Sequence, residues 1–211
     1  MAVVTVSRQY GAGGMRVAPA LADALGFRLA GREVVEEAAR RLGLDPGLAQ
    51  TRDERAPAIV EEIGLALAAG TPPLGGASTL QFHDPTLHDR ALADATRKVI
   101  VSLADAGGYV ILGRGGQAAL AGRADACHLA LVADPHDRAR RIAEWQHVEE
   151  REASARCHRA DAARAGYVRH FYGVDIGNPL LYDCVLNTSR LGLPEAADIA
   201  VAVARGKLGL A

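Results

Sequence analysis

Lysine is nearly missing from this sequence. Of its 24 basic residues only two are lysines, Lys98 and Lys207; the rest are arginines. Any task that ordinarily uses a lysine must fall to one of these two or to arginine, whose planar fork grips oxyanions where an ammonium acts as a point charge. Cysteine is also scarce. Cys127, Cys157 and Cys184 are odd in number and far apart, which argues against a disulfide framework or a zinc site and makes a reducing cytoplasm the expected setting. Neither sign of charge prevails, with 25 acids against 24 bases. A basic nucleic-acid tail and an acidic disordered tail are both excluded. No apolar run approaches the roughly 18 residues that cross a bilayer, so no membrane association is expected. Met1 leads straight into a β-branched run and then glycines, not into a signal peptide. The histidines His83, His88, His136, His147 and His158 keep no zinc spacing with the cysteines. No Gly-x-Ser-x-Gly elbow marks a serine hydrolase.

What is present suffices for one domain spanning 1–211, since 49% of the 211 residues are apolar. Val3 to Val6 read as a buried strand, followed by glycines and then a helix from Met15 to Leu25, stopped by Gly26. A brief strand is expected at Phe27 to Leu29, and helices at 33–42 and 57–69. Residues 70–78 read as a loop or hinge. A long helix over 88–106 precedes a strand at 109–112; another strand covers 127–132 and a helix runs from Asp134-Pro135 to about Gln146. A polar, arginine-rich stretch covers 147–172, and a strand at 183–187 and a helix at 194–207 close the chain. Strands alternate with helices, and the clearest strands lack apolar/polar alternation. That pattern predicts a parallel sheet covered on both faces.

Arg8-Gln9-Tyr10-Gly11-Ala12-Gly13-Gly14-Met15-Arg16 joins the first strand to the first helix. A glycine loop there, at the carboxyl edge of the sheet, is a natural anion site, because its amides converge and the helix terminus adds positive potential. Against the Walker pattern G-x-x-x-x-G-K-[ST], Gly11 and Gly13 fall within the loop, Arg8 replaces the first glycine, Gly14 replaces the lysine, and Met15 replaces the hydroxyl. Arg8 and Arg16 flank the loop. The dinucleotide pattern fits less well, since the third glycine of G-x-G-x-x-G is lacking. A plain tight turn is the bland alternative. A second glycine loop, Gly113-Arg114-Gly115-Gly116, sets Arg114 at the carboxyl end of its strand. Eight arginines lie between Arg138 and Arg169. They read either as a solvated mixed-charge helix or as an arginine-bearing flap that closes over phosphates. Asp161 suits an orienting partner for these arginines, a metal ligand or a local ion pair.

Together these stretches resemble the cytidylate kinase-like family, relatives of bacterial cytidylate kinase among the P-loop nucleoside monophosphate kinases. The resemblance rests on Val4 to Gly14, Val110 to Gly115, Asp161 to Tyr167 and Tyr182 to Ser189, in family order. It implies a three-layer α/β/α fold with a five-stranded parallel sheet of order 2-3-1-4-5, a nucleoside monophosphate-binding insertion over 31–95 and a lid over 147–172. It further implies that Arg8, Gly11, Ala12, Gly13, Gly14 and Met15 cradle donor phosphates, that Asn187 and Thr188 lie near the donor base, that Arg114 meets the acceptor phosphate, and that Arg159, Asp161 and Arg164 belong to the lid. The implied activity is ATP-dependent phosphoryl transfer to a small acceptor, with Arg16 or Arg8 in the lysine's role and Mg²⁺ held largely by nucleotide and water. Lys98, in a long helix, and Lys207, near the end of the chain, are badly placed for that role. A catalytically inactive nucleotide-binding regulator of the same fold is the alternative. Expected partners are a nucleotide or another small phosphorylatable substrate, with a homodimer as an option.

Overall fold

The computed structural model describes residues 1–43 and 85–210. The helix expected at 57–69 and the loop at 70–78 lie outside them, as does most of the stretch read as an insertion. The described elements are β1 (Val3–Arg8), α1 (Gly14–Leu25), β2 (Arg28–Ala30), α2 (Arg32–Arg41), α3 (Pro85–Ala106), β3 (Tyr109–Leu112), α4 (Gly116–Ala119), β4 (Ala126–Val132), α5 (Pro135–Gln146), α6 (Glu150–Tyr172), β5 (Cys184–Asn187), α7 (Thr188–Leu191) and α8 (Leu193–Leu208). The five strands form one parallel sheet in the order β2-β3-β1-β4-β5.

The central strand explains why the sheet must be covered twice. Val4 and Val6 enter one apolar layer with Val17 and Leu21 of α1 and Ala196 and Ala200 of α8. Val3 enters the opposite layer with Val34 and Val35 of α2, Ile100 of α3 and Ile111 of β3. Successive strand residues point to opposite faces, so a strand buried at successive positions needs helices on both sides. The architecture is therefore the doubly covered parallel sheet that the strand pattern predicted and the three-layer α/β/α fold, with its strand order, that the resemblance implied. Among the described residues no helix is long and apolar enough to cross a membrane.

The register aligns the strand ends that matter. Val6 lies beside both Leu112 and Leu129. The Gly113 amide donates to the Val6 carbonyl at 2.9 Å and the Gln9 amide to the Leu131 carbonyl at 3.0 Å. The two glycine loops thus leave the same carboxyl edge from neighbouring strands, where open α/β sheets gather their ligands.

One polar pair lies inside the sheet. His128 Nδ1 and the buried Thr5 hydroxyl are 2.8 Å apart across β4 and β1. Burial pushes the His128 pKa below its ordinary 6.5, and the nearby Asp183 carboxylate only partly offsets this. The unfolded chain therefore takes up a proton below about 6.5 that the folded chain resists, so stability is intact above that pH and declines as the pH falls through it. Replacing His128 by Asn is expected to flatten this part of the profile. Thermal melts of both proteins between roughly pH 5 and pH 8 check it; parallel profiles would contradict it.

Candidate functional site

The loop between β1 and α1 is held by its own geometry. Gly11 and Gly13 have φ of 80° and 85°, left-handed values that cost a side-chain-bearing residue about 1 kcal/mol or more. Space is equally restrictive. A Cβ at Gly11 would lie 2.8 Å from the Arg138 carbonyl oxygen, and one at Gly13 would lie 2.1 Å from Leu193 Cδ2. The Ala12 amide turns back to the Gln9 carbonyl at 3.2 Å, and the Arg16 and Val17 amides go to the Gly13 carbonyl. The amides of Gly14 and Met15 head α1, where no preceding turn exists to receive them. They point positive potential at the space above the loop.

Arg8 fills the space that a lysine on α1 would otherwise reach. Its side chain leaves the end of β1 and passes Gly14 so closely that a Cβ there would sit 2.9 Å from Arg8 Cγ. Its guanidinium then reaches Gly113, where a Cβ would be 1.8 Å from Nη1. The long cationic side chain and the glycine have therefore exchanged places relative to a Walker loop: the cation comes from position 8, and position 14 is bare to let it pass. Two more arginines converge on it. Arg164 of α6 donates from Nη1 to the Arg8 carbonyl at 3.2 Å and stands over the Tyr10 ring, 5.4 Å from its centroid. Arg114 follows Gly113 directly, in a left-handed turn with φ of 59°. Burial, then the charges of Arg164 and Arg114, press the Arg8 pKa down to about 9. Arg114 is likewise lowered, first by burial, with Arg164 and Arg32 adding to the effect. An anion bound among these guanidiniums would relieve their mutual repulsion.

Side chains from α5, α6 and the start of α7 pin the loop from outside. Asp161 of α6 accepts the Tyr10 amide at 2.7 Å, pairs with the buried Arg138 of α5 and lies 3.6 Å from Arg164. Arg138 also donates to the Tyr10 carbonyl at 3.2 Å. Arg141, one turn on, donates to the Thr188 hydroxyl and carbonyl at 3.0 and 2.9 Å and to the Gly11 carbonyl at 3.4 Å. The fully buried Thr188 donates its hydroxyl to the Ala12 carbonyl at 3.1 Å. Asn187 caps α7 by accepting the Ser189 amide at 3.0 Å.

The structure thus gathers Arg8, Gly11, Ala12, Gly13, Gly14, Arg114, Asp161 and Arg164 around one loop. Thr188 supports that loop from behind. Arg16 and Met15 are exposed at the start of α1, and Arg16 is not among the charges acting on Arg8. Arg159 is exposed on α6, roughly half a turn away from the face carrying Asp161 and Arg164 at about 100° per residue. The stretch 147–172, expected as an arginine-bearing flap, is mostly this one continuous helix, anchored by Ala153, Cys157 and Val168. Arg138 and Arg141 are contributors that a reading of α5 as a solvated mixed-charge helix missed. Their three-residue spacing, which sets them on one helix face, was the available signal.

The family model described as the cytidylate kinase-like family matches residues 3–190. Similar solved structures include an uncharacterized protein from Eubacterium ventriosum ATCC 27560, at 17% identity and a TM-score of 0.68, over 96% of this chain and 97% of that one. TT1252 from Thermus thermophilus is 15% identical with a TM-score of 0.53, over 98% and 97% of the two chains. Shikimate kinase from Bacteroides thetaiotaomicron is 13% identical with a TM-score of 0.52, over 99% of each. These are likenesses of fold. No curated protein matches the chain.

Proposed function

The chain belongs to the cytidylate kinase-like family, and on that premise we propose that it transfers a phosphoryl group from ATP to a small acceptor, a nucleoside monophosphate being the first to test. The observation that carries this reading is the meeting of Arg8 with the glycine loop, at the edge that also presents Arg114 and Arg164. In this class catalysis consists mostly of positioning and charge stabilisation. The amides of Gly14 and Met15 hold donor phosphate oxygens, and Arg8 takes the place of the loop lysine. Arg114 orients the acceptor phosphate from the next strand. Arg164, whose charge acts on both Arg8 and Arg114, neutralises charge as the group moves.

The residues suit a triphosphate: the amides that head α1 and the guanidiniums of Arg8, Arg114 and Arg164 gather at one loop, and a Cβ at Gly14 or Gly113 would collide with Arg8. Mg²⁺ fits them less well. The hydroxyl position is Met15, the Asp161 carboxylate is engaged by the Tyr10 amide and Arg138, and no group of three or more His, Cys, Asp or Glu among the described residues could hold a metal.

Incubating the full chain with ATP and each common nucleoside monophosphate, and measuring nucleoside diphosphate formation, tests the proposal. Product with one acceptor supports it. ATP binding without product from any acceptor favours the regulatory reading, which the loss of both Walker side chains motivates. Gly113→Ala is expected to displace the Arg8 guanidinium and cut ATP affinity tenfold or more, about 1.4 kcal/mol, while Arg16→Ala changes it less than threefold. Equal effects of the two substitutions in equilibrium dialysis would contradict the assignment of the cation to Arg8.

A further inference from the structure

We propose that this site holds the triphosphate of its nucleotide without a divalent cation, the guanidiniums of Arg8 and Arg164, with Arg114 beside them on the acceptor side, supplying the positive charge that Mg²⁺ supplies in other phosphate loops. The inference rests on the nucleotide reading given above and goes beyond it.

In Walker-type sites the loop hydroxyl and a strand-borne aspartate hold the metal between the terminal phosphates. Here the residue at the hydroxyl position is Met15, 71% exposed. The neighbouring strand β3 runs into Gly113, the first residue after it, and the space beside that glycine is taken by Arg8 Nη1. A dication entering there would lie against a guanidinium. Asp161 is the acidic side chain bonded to the loop itself. Its Oδ1 receives the Tyr10 amide at 2.7 Å and lies 3.6 Å from Arg164 Nη1, and its Oδ2 receives Arg138. Both oxygens are thus committed, and two neighbouring cations disfavour a third.

The ligand's charge points the same way. Free ATP carries about four negative charges near neutral pH and its magnesium complex about two, so arginines in a poorly solvated cleft attract the free form more strongly. Magnesium also occupies β- and γ-phosphate oxygens that bidentate guanidiniums would otherwise take. A site in which cations come from the chain gains little from a cation brought by the nucleotide.

Equilibrium dialysis of the full chain against radiolabelled ATP, at matched ionic strength, in excess EDTA and in excess Mg²⁺, tests this. The expected Kd in EDTA is equal to or lower than that in Mg²⁺. A Kd in EDTA more than about twofold higher overturns the inference and leaves the nucleotide site standing. Retention of no ATP in either arm overturns the nucleotide reading itself, and this inference with it.

Discussion

Arg8→Ala is expected to weaken ATP binding about a hundredfold, near 3 kcal/mol, the magnitude of charge-assisted hydrogen bonds to phosphate in a partly desolvated site. The same substitution is expected to leave the melting temperature unchanged or raised. The Arg8 side chain makes no ion pair with a carboxylate among the described residues, and its pKa is pressed down to about 9, by burial first and then by Arg164 and Arg114. Holding it charged there costs folding free energy, and removing it relieves that cost. A residue whose loss harms binding and spares the fold is kept for binding. Calorimetric titration beside a thermal melt reads both effects. ATP affinity within threefold of the parent would remove Arg8 from the site, and a large fall in melting temperature would make it a structural residue.

Asp161→Ala is expected to destabilise the fold by about 3 kcal/mol, because it strands the buried Arg138 charge and the Tyr10 amide together. The estimate sits at the low end for broken buried pairs because the Asp161 side chain is 27% exposed. The Arg138→Met, Asp161→Ala double variant is expected to lose less than the sum of the two single variants, since the second change removes the unpaired charge left by the first. Urea unfolding of the four proteins gives the coupling energy. Additive losses would mean that the pair does not act as a unit. With the pair broken, nucleotide affinity should also fall, because the Tyr10 and Gly11 segment is positioned through Asp161, Arg138 and Arg141.

The sheet was legible because burial on both faces leaves a direct trace in sequence. Val3 to Val6 and Val110 to Leu112 contain no alternation, and only a strand covered twice tolerates that. Gly11 and Gly13 were legible for a similar reason: glycine clusters where φ is positive and space is short. Arg8 and Arg114 stand in or beside recognisable glycine clusters, whereas Arg164 was singled out by the family resemblance. What could not be read was the phase of the helices. Arg16 and Arg159 looked equivalent to Arg8 and Arg164 along the chain, yet a difference of a few residues on a helix turns a side chain from the site to solvent. The pairing of Asp161 with Arg138 joins two helices and the loop, and no local signal records a contact across 23 residues. The exchange of arginine and glycine between positions 8 and 14 looked like two separate losses in the sequence. Only the passage of Arg8 across Gly14 makes them one change.

The most direct measurement is a crystal structure of the full chain grown with a non-hydrolysable ATP analogue at saturating concentration. The expected result is β- or γ-phosphate density within hydrogen-bonding distance of the Gly14 and Met15 amides and of an Arg8 guanidinium nitrogen. A triphosphate bound elsewhere, with the loop amides and Arg8 turned to water, would contradict the assignment of this loop as the nucleotide site.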